Sequence, residues 1–180
     1  EAAHGMLAIS PRVVERLENY VPKWPIPKAF RLAENKKLLS DIFEGNTINT
    51  PSMMSVEDIL DTLKWVKSLG GLNQLFSRSD KSLQIITEWI ENNSSFEFMN
   101  PNEKTRSNTG ITFQIKEDWF KNLKEEKQRE IMNEIFSLLY REKVAYDITG
   151  YPKAPPSFRV WGGGTVEPSD VKKLLPWIAW

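Results

Sequence analysis

Apolar positions fall into short, well-separated patterns along the chain. Met6-Leu7-Ala8-Ile9, between Gly5 and Pro11, is a continuous apolar run of the kind that forms a buried strand in a parallel sheet. It has no obvious neighbour to pair with, so the chain reads as if it enters in the middle of a larger sheet. Ser10-Pro11 is a helix start, with serine as cap and proline at the first helical position. Val13, Val14 and Leu17 give that helix its apolar face. Pro22, Pro25 and Pro27 make residues 21–32 an extended connector, and Leu38, Leu39, Ile42 and Phe43 suggest a helical turn ended by Gly45. A helix with a capping-box-like start at Ser55 and Asp58 carries Val56, Ile59, Leu60, Leu63 and Val66 on one face until Gly70-Gly71. A second follows through Leu72, Leu75, Phe76, Leu83, Ile86 and Ile90, ending at Asn92-Asn93.

The pattern then changes. Phe96–Phe98 and 109–115 read as strands, the latter alternating at Ile111, Phe113 and Ile115. One long helix is expected over Trp119–Glu142, its solvated face carrying the charge run Lys124 to Glu130. Val144–Ile148 and Phe158–Trp161 read as two further strands, and a helix from Pro168 closes the chain. This interleaving suggests a small α+β layer, a sheet with helices packed on one face. The tryptophans and methionines occur at helix and strand spacing and read as core.

Composition narrows the function. The chain has 180 residues, 24 basic and 24 acidic, and its formal net charge of zero argues against nucleic-acid binding. No apolar run is long enough to span a bilayer. The absence of cysteine excludes disulfides and thiolate chemistry, and a single histidine, His4, leaves no material for a histidine metal cage. His4 has no activating neighbour in sequence and reads as structural. No basic segment precedes an apolar one at the start, which suggests a cytoplasmic protein.

Three segments carry candidate chemistry. In Asn49-Thr50-Pro51-Ser52 the asparagine amide and threonine hydroxyl are donors ahead of a helix, which suits either a phosphate or an ordinary capped turn. In Phe158-Arg159-Val160-Trp161 an arginine sits between apolar residues on a short strand. It is either a planar fork for a carboxylate or a solvent-facing residue of a half-buried strand. The following Gly162-Gly163-Gly164 lacks the lysine and hydroxyl residue of a phosphate loop and reads as a flexible turn. Lys153, in the proline-rich loop Gly150–Pro156, offers a cation near Arg159 or is simply solvated.

Glu1–Leu7, Trp24-Pro25-Ile26-Pro27-Lys28, Ile48–Met53, Arg106-Ser107-Asn108-Thr109 and Ala154–Trp161, in that order, resemble the C-terminal half of the phosphoserine aminotransferases, class V pyridoxal-phosphate enzymes. The resemblance implies an α/β fragment of fold type I. Residues 1–72 would be the end of the large cofactor domain, and 73–180 the small C-terminal α+β domain. It implies a homodimer that uses pyridoxal 5'-phosphate to move an amino group from glutamate to 3-phosphohydroxypyruvate, giving phosphoserine and 2-oxoglutarate in serine biosynthesis. Asn49 and Thr50 would contact the cofactor phosphate of the partner subunit, and Arg159 would clamp the substrate carboxylate.

Two departures qualify it. The family's Schiff-base lysine falls just upstream of Glu1, so this chain would hold no catalytic residue of its own and be inactive alone. The family's cationic pair for the substrate phosphate falls on Tyr151 and Pro152, or on Pro152 and Lys153 when counted back from Arg159. Lys153 would then bind the phosphate as a point charge. The alternatives are a related class V aminotransferase for an unphosphorylated substrate, and a non-catalytic interaction domain.

Overall fold

A computed structural model describes residues 7–180, which separate into two compact units meeting between Trp65 and Val66. His4 and Met6 lie outside the described residues. Leu7–Ile9 form no strand and are at most half-buried. A strand needs a hydrogen-bonded neighbour, and no described strand runs beside this segment.

In the first unit, helix α1 (Pro11–Asn19) starts as expected, the Ser10 hydroxyl accepting from the Val13 N–H. The proline-rich connector contains one 3-10 turn, Lys28–Phe30. A two-residue hairpin follows, β1 (Ala33–Glu34) paired antiparallel with β2 (Lys37–Leu38). Asn35 and Lys36 both adopt positive φ, 50° and 61°, which the two central positions of a tight hairpin turn require. This hairpin was not expected, since its two-residue strands are too short to show alternation. The turn over Ser40–Glu44 is 3-10 and ends at Gly45 with φ 100°, as anticipated.

Helix α2 (Met53–Ser68) begins two residues before Ser55, so Ser55 and Asp58 lie within its opening turns and do not cap it. The Val56 N–H already bonds the Ser52 carbonyl, and helical bonding overrides the local capping preference. Its end follows expectation. The Gly70 N–H bonds the Lys67 carbonyl and the Gly71 N–H the Val66 carbonyl, a Schellman closure in which Gly70 takes φ 105°. No described residue before Val66 is fully buried. Among its described residues the first unit therefore has no fully buried core, and Trp24, Phe30, Met53 and Met54 are exposed.

The second unit has the core. Helix α3 (Leu72–Glu91) leads into β3 (Phe96–Phe98) and β4 (Gly110–Ile115), then α4 (Asp118–Lys121) and α5 (Glu125–Arg141). Strand β5 (Phe158–Trp161) and α6 (Pro168–Ala179) complete it. The sheet is antiparallel in the order β3-β4-β5. Ile111, Phe113 and Ile115 point to one face with Phe158 and Val160, where Ile86, Phe120, Met132, Leu139, Val171 and Leu175 of the helices cover them. The expected one-sided layer is what forms. Phe113 and Phe158 stack at 5.1 Å between ring centres, with Phe96 and Phe136 edge-on to Phe158.

Three expectations give way here. The helix expected over 119–142 is broken at 122–124, where the Leu123 N–H closes a tighter turn on the Phe120 carbonyl and the Gln128 side-chain amide donates to the Phe120 and Leu123 carbonyls. Val144–Ile148 is not a strand, because the Val144 and Ala145 N–H groups bond the Leu139 carbonyl at the end of α5. One bridge, Thr149 to Phe158, is all the pairing there. Most tryptophans and methionines are not core: Trp119, Trp161, Trp177 and Trp180 are exposed, and Met132 is fully buried.

The opposite sheet face is polar. Glu97 accepts from Lys121 Nζ at 2.7 Å and from the Gln114 amide at 2.8 Å, and these bonds, led by Lys121, hold its carboxyl below the ordinary value of 4.5. A depressed folded-state value contributes stability that is present above 4.5 and is lost as pH falls through the lower folded value. Urea midpoints between about pH 3 and about pH 6 should therefore decline less steeply for Glu97→Gln than for the parent. Parallel curves would show that the pair is energetically silent.

Candidate functional site

The register pairs Thr112 with Arg159 and Ile111 with Val160. The same alternation that buries Phe158 and Val160 turns Arg159 to the polar face. Its side chain keeps only 18% of its accessible surface. Nη2 donates to both oxygens of Asp147, at 2.8 and 2.9 Å, and Nε donates to the Thr149 carbonyl at 3.1 Å. The guanidinium carbon lies 5.0 Å from the centre of the Tyr151 ring, within cation–π range. The fork is thus held along its Nε–Nη2 edge and against one ring, and it is already binding a carboxylate. Nη1 has no protein partner among the described residues.

Lys153 is exposed at the turn closed by the Ala154 N–H on the Tyr151 carbonyl, and it makes no hydrogen bond or ion pair among the described residues. Beside this loop lies a cleft of about 310 Å³, lined by Arg129 and Asn133 of α5 together with Tyr151 and Pro152. Arg129 is committed to Glu125 and the Ala154 carbonyl, which ties the loop to α5.

Gly162-Gly163-Gly164 is crowded rather than loose. A Cβ on Gly162 would meet Ile111 at 2.8 Å, one on Gly163 the Trp161 ring at 2.5 Å, and one on Gly164 Leu75 at 2.8 Å. Arg78 fastens the turn, donating to the Gly164 carbonyl at 2.8 Å and pairing with Glu167. Close packing, not flexibility, is the reason for the glycines.

Asn49 and Thr50 belong to the first unit. They are exposed in the irregular segment ahead of α2, where the Thr47 hydroxyl donates to the Asn49 carbonyl at 2.7 Å. The Asn49 amide and the Thr50 hydroxyl make no hydrogen bond among the described residues, and both are donors of the kind that phosphate oxygens accept. Asp147 and Thr149 are the site residues that sequence reasoning missed. The available signal was their position on either side of Ile148, which is buried, so that Asp147 is turned away from the core.

An arginine fork sheltered on the polar face of a small α+β layer is a candidate site for a carboxylate, and known proteins that this chain resembles are named aminotransferases. Over its whole length the chain is similar to part of proteins named phosphoserine aminotransferase, the family that the sequence motifs resemble. The phosphoserine aminotransferase of Methanosarcina mazei is 46% identical over 180 residues and that of Methanosarcina barkeri 45%, in each case across 100% of this chain and 46% of the relative. The phosphoserine aminotransferase of Azobacteroides pseudotrichonymphae is 33% identical over 75 residues, 42% of this chain and 20% of its own length. The chain spans about half the length of the curated relatives it matches. No family model matches it. Among the described residues no helix is long and apolar enough to cross a membrane, and no cluster of histidine, aspartate and glutamate is arranged to hold a metal ion.

Proposed function

We propose that this chain forms part of a cytoplasmic, homodimeric phosphoserine aminotransferase that exchanges an amino group between glutamate and 3-phosphohydroxypyruvate in serine biosynthesis. The observation that carries this reading is the likeness, at 45–46% identity across all 180 residues of this chain, to proteins of that name. In this reading the protein has fold type I, with residues 1–72 at the end of the large domain and 73–180 as the small domain. The lack of a fully buried core among the described residues of the first unit is what a remnant of a larger domain should look like.

Pyridoxal 5'-phosphate, when bound, supplies the electron sink for amino-group transfer. The donor set at Asn49 and Thr50 fits the phosphate end of that cofactor, an unpaired amide and hydroxyl beside the start of a helix. In the dimer these two residues would hold the cofactor phosphate of the partner subunit. Arg159 would orient the substrate through its carboxylate, fixing the reacting carbon relative to the cofactor ring. Lys153 would attract the substrate phosphate as a mobile point charge.

The test is transamination by the full-length protein loaded with cofactor, comparing 3-phosphohydroxypyruvate with 3-hydroxypyruvate and glyoxylate. Strong preference for the phosphorylated acid is expected. Equal or better turnover of the unphosphorylated acids would move the assignment to a related class V aminotransferase. That second reading is favoured by one observation, the presence of Tyr151 and Pro152 where the family carries a cationic pair. No turnover of any oxo acid would leave an interaction domain.

A further inference from the structure

We infer that Asp147 is a positioning residue, which orients the Arg159 fork so that its remaining edge meets the substrate carboxylate. The inference rests on the proposed role of Arg159 and deepens it. An arginine side chain has several rotatable bonds, and freezing it on binding costs affinity unless the protein has frozen it beforehand. Here three contacts do so: Asp147 on Nη2, the Thr149 carbonyl on Nε, and the Tyr151 ring at 5.0 Å. Asp147 and Thr149 flank the buried Ile148, whose backbone carbonyl accepts from the Arg159 N–H at 2.9 Å. The anchors and the fork are therefore tied to one another by backbone pairing, not by side chains alone.

These contacts use the Nε–Nη2 edge and leave the Nη1 end as donor. Asp147 is itself 77% exposed, so it serves Arg159 rather than the core. An exposed carboxylate kept beside an otherwise sheltered guanidinium contributes little as an ion pair. Its geometric effect is the larger one.

In the cofactor-loaded full-length protein, Asp147→Ala should raise KM for glutamate and for the oxo acid by about two- to tenfold, the cost of ordering one long side chain at binding. kcat should change little, because the fork is still present once substrate holds it. Asp147→Asn keeps an acceptor oxygen for Nη2 and should stay within about twofold of the parent, a rescue that a merely structural role would not show. An unchanged or lowered KM in Asp147→Ala would overturn the inference, as would an asparagine variant as impaired as alanine. Arg159→Ala separates the two levels: if it raises KM while Asp147→Ala does not, the positioning role alone fails. If Arg159→Ala is also without effect, the carboxylate-clamp reading fails with it.

Discussion

Arg159→Ala is expected to raise KM for both the amino-acid and the oxo-acid substrate of the proposed aminotransferase, assayed full-length and loaded with cofactor, by roughly 25-fold or more. The estimate follows from the roughly 2–5 kcal/mol typical of truncating one partner of a sheltered, hydrogen-bonded charge pair, at about 1.4 kcal/mol per factor of ten. Only 18% of the Arg159 side chain is exposed, so little water competes for the guanidinium. Arg159→Lys should recover only part of the loss, since a point charge cannot reproduce the planar fork that reaches Asp147 and the Thr149 carbonyl together. The fold should survive the alanine variant, because Asp147, exposed to 77%, is rehydrated when its partner leaves. Steady-state kinetics with an unchanged far-ultraviolet circular dichroism spectrum check the prediction. KM values equal to those of the parent would overturn the proposed carboxylate clamp.

Phe158→Ala should destabilise the second unit by about 3–5 kcal/mol, the usual cost of emptying a large aromatic site in a packed core. Phe158 is fully buried, stacked on Phe113 and edge-on to Phe96 and Phe136, so the cavity would open where the sheet meets the helices. Phe30→Ala, at a side chain that is 70% exposed in the first unit, should stay within about 0.5 kcal/mol. Urea denaturation of the two variants beside the parent measures both. Similar small losses would mean that the Phe113–Phe158 stack is not the centre of the core. Because Phe158 precedes Arg159 on β5, the same variant should also loosen the fork and raise KM further than its position off the site would suggest.

These two residues illustrate how fold and site are linked. Adjacent positions on one strand point to opposite faces, so the alternation that buries Phe158 delivers Arg159 to the polar side. The register with Thr112 then fixes where along the sheet the guanidinium stands. Gly162 to Gly164, which follow directly, hold this strand end close against Ile111 and Leu75.

Elements whose determinants are local were legible from the residue order. Ser10-Pro11 capped a helix because a hydroxyl and a fixed φ act within one turn. Gly70-Gly71 ended another because left-handed backbone favours glycine. Ile111, Phe113 and Ile115 declared a strand because burial on one face demands a period of two. The relationship to phosphoserine aminotransferases was legible too, since five ordered motifs carry more information than any local preference.

What tertiary structure alone decided were the features whose partners are distant in sequence or compete for the same backbone groups. Gln128 bridges the break at 122–124 by donating its side-chain amide to the Phe120 and Leu123 carbonyls where α4 ends. The Leu139 carbonyl claims the Val144 and Ala145 N–H groups, so the segment Val144–Ile148 does not form a strand. The hold of Asp147 on Arg159, twelve positions away, exists because β5 returns beside the segment that follows α5. Periodicity and propensity report what a segment prefers alone. Which donor meets which acceptor depends on chain segments brought together by burial of the apolar face, and that is settled only when the core closes.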